Sequence, residues 1–129
     1  MKTTSVKQKV RIGVSIITTL AMSSALPALA GTSRFVEKGQ VLATADFIPN
    51  GDKFFVDDKA KDGRGAYVAW NVPSIGRSGV CADADGASSP PSVCNYNFPE
   101  GRDIIWQLCV RDLNGSKPTV CAPIVRERT

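Results

Sequence analysis

From residue 31 onward, short runs rich in Val, Ile, Phe, Trp and Thr are separated at close intervals by Gly and Pro. That is the spacing of strands and turns rather than of amphipathic helices. The runs predict strands over Arg34 to Glu37, Gln40 to Asp46, Lys53 to Val56, Ala66 to Val72, Asn95 to Phe98, Asp103 to Arg111 and Pro118 to Val125. Turns are expected at Pro49-Asn50-Gly51-Asp52, across Asp57 to Gly65, at Pro99-Glu100-Gly101 and at Asn114-Gly115, where the residues suit positive or fixed φ. In the run from Ala66 to Val72, Ala66, Val68, Trp70 and Val72 fall on one face, and Tyr67, Ala69 and Asn71 on the other. A single apolar face suits a sheet packed on a partner sheet, so the fold class expected is all-β, a small antiparallel sandwich or barrel.

The C-terminal hairpin carries the sharpest register. Ile104, Trp106, Leu108 and Val110 form one face of its first strand, and Val120, Ala122 and Ile124 one face of its second. A turn centred on Gly115 sets Val110 opposite Val120, Leu108 opposite Ala122 and Trp106 opposite Ile124, and it also sets Cys109 opposite Cys121. That register needs an odd-numbered loop; a two-residue Asn-Gly turn would put Cys109 opposite Val120 instead. Pro118 and Pro123 cannot donate to a ladder, so the last strand should be a sheet edge.

The first thirty residues follow a different pattern. Lys2, Lys7, Lys9 and Arg11 precede a mainly apolar run from Ile12 to Met22, and then come Pro27 and Ala28-Leu29-Ala30. This is the order of a removable export signal, with cleavage expected after Ala30 and a single β domain over residues 31–129. The apolar run falls short of the roughly 20 residues needed to cross a bilayer and is interrupted by Ser15, Thr18 and Thr19. The processed chain is therefore expected to be secreted and extracellular, with no membrane association.

Export changes how charge and cysteine content are read. The whole chain has 16 Lys and Arg against 12 Asp and Glu, but four of the basic residues belong to the signal, which leaves a balanced domain. The basic character serves the export machinery, and no basic cluster marks a nucleic-acid surface. Cys81, Cys94, Cys109 and Cys121 form an even set in an exported chain, which reads as two disulfides. Short loops favour Cys81 with Cys94 and Cys109 with Cys121. A zinc site is disfavoured because there is no CxxC pair and no His.

The absence of His also removes Ser-His-Asp and Cys-His catalysis, and no P-loop or GxGxxG is present. A carboxylate pair for glycoside hydrolysis remains conceivable from Asp57, Asp58, Asp62, Asp83, Asp85, Glu100 and Asp103, although solvated turn residues are the preferred reading. Asp58, Asp62 and Gly63 match three positions of an EF-hand loop, but Ala60 and Ala69 stand where ligands are needed. No cofactor is expected. The segment CADADGASSPPSVC is a proline-stiffened loop of the kind a protease inhibitor presents, with Arg77 in the neighbouring Ser74 to Ser78 turn as the obvious basic specificity residue. Trp70 and Trp106 sit on apolar strand faces and are expected in the core.

GDKFFVDDKAKDGRGAYVAW and CNYNFPEGRDIIWQLCV, together with the signal, resemble small exported actinobacterial β-proteins of unassigned function. The resemblance carries over no functional residue, and the cysteine spacing is unlike that of the bacterial subtilisin-inhibitor family. The expectation is a non-enzymatic secreted protein that binds a protein or cell-envelope partner by surface contact. An inhibitor of an extracellular hydrolase, a protease for example, is the alternative.

Overall fold

The computed structural model describes residues 31–83, 87–115 and 117–129. The expected signal, residues 1–30, and Asp85 lie outside them. The alternating segments form β1 (Gly31–Glu37), β2 (Gln40–Ile48), β3 (Lys53–Asp58), β4 (Arg64–Val72), β5 (Arg77–Asp83), β6 (Ser92–Asn95), β7 (Asp103–Asp112), β8 (Val120–Cys121) and β9 (Val125–Arg128). A first antiparallel sheet runs β1-β2-β3-β6; a second runs β5-β4-β7, with both β8 and β9 paired to the far side of β7. Among the described residues no helix is long and apolar enough to cross a membrane.

Alternation decides which side chains meet between the sheets. The first contributes Ala43, Ala45, Phe47, Phe54 and Val56, and the second Ala66, Val68, Trp70, Val72, Ile104, Trp106, Leu108 and Val110. Trp106, 1% exposed, meets Phe54 edge-on at 5.4 Å between ring centroids, and Trp70, 5% exposed, packs against Tyr96 and Phe98. Both tryptophans are core residues. Truncating either to Ala would remove about 3–5 kcal/mol.

Both disulfides form with the expected pairing. Cys81–Cys94 joins β5, at the edge of the second sheet, to β6, at the edge of the first. Cys109–Cys121 joins the adjacent strands β7 and β8 within one sheet. Each closes a loop of similar length, 13 and 12 residues of separation, and in the chain-entropy picture each contributes about 3 kcal/mol.

Three segments depart from the expected strands. Arg77–Asp83, read as a turn and loop, is β5, paired with β4 from Val72↔Arg77 to Ala66↔Asp83. Its inward positions are Gly79, Cys81 and Asp83, which carry no apolar periodicity, so the pattern conceals the strand. Gly79 is required because a Cβ there would come within 2.6 Å of the Trp70 ring.

The strand expected at Asn95 to Phe98 lies earlier, at Ser92–Asn95. Beyond it, Asp52 replaces ladder partners: its carbonyl accepts from Tyr96 N–H (2.9 Å) and its Oδ2 from Phe98 N–H (2.8 Å). Asp52 itself is buried with φ 51°.

The strand expected at Pro118 to Val125 is two strands. Cys109↔Cys121 and Val110↔Val120 stand as anticipated, and Ala122 N–H donates to Leu108 at 2.8 Å. Past Pro123 the register slips by one, so Trp106 faces Val125 rather than Ile124. The missing N–H of Pro123 interrupts the ladder, and Ile124 is left exposed.

Candidate functional site

Of the seven carboxylates considered for acid–base chemistry, the six that lie among the described residues do not form one group. Asp57, Asp58, Asp62 and Asp83 gather at one end of the sandwich, where a cleft of about 620 Å³ is lined by Asp58, Asp62, Arg64, Asp83 and Arg111 among others. Asp103 lies away from this cleft, paired with Arg128, and Glu100 sits in an exposed turn.

The buried pair in the cleft serves the fold. Asp83 Oδ2 accepts the backbone N–H of Asp58 at 2.8 Å and its Oδ1 accepts the Ser92 hydroxyl at 3.1 Å, so one carboxylate spans three strands and both sheets. Asp58 Oδ1 accepts the N–H of Ala60 and shapes the β3–β4 loop. Burial pushes the Asp58 carboxyl above its ordinary range; the Ala60 N–H pulls it back, and Asp62, Asp83 and Asp57 add repulsion.

Asp57 is paired with Lys59 at 2.7 Å, and Asp62 with Arg64, which also reaches Glu37. Of the calcium-like spacing, Asp62 is thus held in an ion pair and Asp58 in a backbone hydrogen bond. Among the described residues no group of three metal-ligating side chains is present.

Arg77 opens β5 rather than sitting in a turn, because the 3₁₀ turn Pro73–Ile75 closes at Gly76 with φ 62°. It lies opposite Val72, at the end of the inward row, and its guanidinium stacks 4.8 Å from the Phe98 ring while Nη1 donates to the Asn97 carbonyl at 2.8 Å. The side chain caps the aromatic cluster.

The register of the second sheet assembles a surface that the sequence does not announce. On its outer side Ala82, Tyr67 and Cys109 form one row, Val80, Ala69 and Gln107 the next, and Ser78, Asn71 and Ile105 the third. None of these side chains is charged. Val80 is 58% exposed, and Tyr67, Ala69, Ala82, Ile105 and Gln107 are all half-buried. The rows are bounded by Arg111, stacked 5.3 Å from the Tyr67 ring, and by Arg126 opposite Ile105.

An outward face of an antiparallel sheet is normally polar and charged, so three neutral rows across three strands mark a surface suited to contact. Tyr67, Ala69 and Asn71 are legible in the sequence as one face of β4. Their neighbours on β5 are not, because β5 carries no visible strand pattern. Comparison with protein-family models, with curated proteins and with solved structures finds no match.

Proposed function

We propose that this chain is exported, cut after Ala30, and works outside the cell as a non-enzymatic protein that docks on a protein or cell-envelope partner through the outer face of β5-β4-β7. The observation that carries this reading is the neutral, partly apolar character of that face between Arg111 and Arg126. Two further features support it. The two disulfides suit an oxidising compartment. The buried carboxylates of the cleft, Asp58 and Asp83, are engaged in hydrogen bonds that hold strands and the β3–β4 loop in place, which gives them a structural role.

The test is capture by the immobilised, oxidised protein from the producer's secreted proteins and cell wall. Ala69→Lys should weaken capture strongly, and Thr44→Lys on the opposite face should leave it intact; equal loss from both would sink the assignment of the surface. A protease panel separates the alternative. Inhibition that disappears with Arg77→Ala would replace docking with an inhibitor function, acting from the sandwich end where Arg77 lies.

A further inference from the structure

Glu127 is a carboxylate aimed inward. In the β7–β9 register it lies opposite Ile104, while its neighbours Arg126 and Arg128 lie opposite Ile105 and Asp103 on the outer side. Ile104 is fully buried, so the acid stands at the rim of the core.

Its Oε2 accepts the indole N–H of Trp106 at 2.6 Å, and the backbone N–H of Gly31 also donates to the carboxylate. Its Oε1 is buried without a hydrogen-bond partner among the described residues. Arg128 is engaged by Asp103 and the Gly101 carbonyl. A desolvated carboxylate served only by neutral donors is costly unless a cation joins it.

Gly31 is placed to supply that cation. It lies opposite the buried Phe47, and so on the inward side of β1. A Cβ there would collide with the Glu127 carboxylate, so only glycine allows the carboxylate to lie against this backbone. Cleavage of the Ala30–Gly31 bond by water leaves a carboxylate on Ala30 and an amine on Gly31 that takes up a proton at neutral pH.

We infer that this new α-ammonium forms a half-buried ion pair with Glu127, so that removal of the leader completes the core contact among β1, β7 and β9. The inference rests on the export reading. It adds that processing is a folding step of this domain, with Glu127 as the receptor for the new terminus.

N-terminal sequencing of the protein recovered from the producer's medium comes first. A terminus other than Gly31 overturns both the cleavage site and the ion pair. With Gly31 confirmed, Glu127→Gln decides by sign.

If the ammonium is paired, the substitution lowers the melting midpoint by about 5 °C. It also speeds acylation of the α-amine at neutral pH by about tenfold, because the amine loses the partner that holds its proton. If the ion pair does not form, neutralising a desolvated carboxylate leaves the midpoint unchanged or raises it, and the acylation rate does not move. That result overturns the ion pair and leaves the export reading standing.

Discussion

The two sheets turn very different surfaces outward. The first presents Arg34, Thr44 and Asp57 in one row, Thr32, Asp46, Phe55 and Val93 in the next, and Ile48, Lys53 and Asn95 in the third. Its two acids are locally engaged: Thr32 donates to Asp46 at 2.6 Å, and Lys59 pairs with Asp57. In the second sheet the three strands β5, β4 and β7 carry no charge in three corresponding rows, and Arg126 of β9 stands at the outer end of the third. Both sheets contribute apolar residues to one core, so the inner faces do not explain the difference; a surface kept free of charge is one that can lose its water to a partner without stranding an ion.

Four experiments test that contrast, beginning with the support beneath the neutral face. Gly79→Val drives a side chain into the buried Trp70 ring and should destabilise the fold by about 3 kcal/mol in chemical denaturation. Thr44→Val, pointing out from the first sheet, should move stability by less than about 0.5 kcal/mol. If the two cost the same, the register assigned to β5 is wrong.

The second substitution addresses the faces themselves. Ala69→Lys should weaken partner binding by about 30-fold, roughly 2 kcal/mol, if Ala69 lies at the centre of the docking surface, with the folded midpoint nearly unchanged. The same charge placed at Thr44 should shift binding less than twofold.

The third concerns the join between the sheets. The Asp58 carboxyl is held above its ordinary value, so across the window from that value to the raised one the folded state binds more protons than the unfolded state. Its contribution to stability is therefore largest below the window and declines as pH climbs through it. In Asp58→Asn this decline should flatten in a pH series of urea midpoints, while Asp57→Asn should retain it. A steeper decline in Asp58→Asn would refute the assignment.

The smallest effect belongs to the charged face. Asp57→Asn removes the ion pair with Lys59, whose side chain is about half exposed, and should cost less than about 0.5 kcal/mol, with that difference vanishing in high salt.

The elements with strong alternation are legible in the amino-acid sequence, and so is the cysteine pairing. In β4 and β7 four inward apolar residues each repeat with period two, and Cys109↔Cys121 follows from the same register. Where polar or small residues occupy inward positions, periodicity carries no signal. β5 turns Gly79, Cys81 and Asp83 inward, and its role depends on Trp70 from β4 and Ser92 from β6, contacts made only once the strands are paired and the sheets packed.

The neutral face is illegible for the same reason, because it exists only once β5 is laid beside β4. Arg77 shows the converse. Its charge in a Gly-rich segment suggests a free specificity residue, yet the fold brings Phe98 and Asn97 to it from 20 residues further along the chain.

The slip at Pro123 has a consequence beyond the hairpin. It divides the outermost strand of the second sheet into pieces of two and four residues, so no long uninterrupted row of amide hydrogens and carbonyls faces outward there. An approaching chain could add only a short, poorly anchored segment before losing step. Fibrous growth along that margin is thereby disfavoured, because the broken strand offers an incoming chain no continuous ladder to extend.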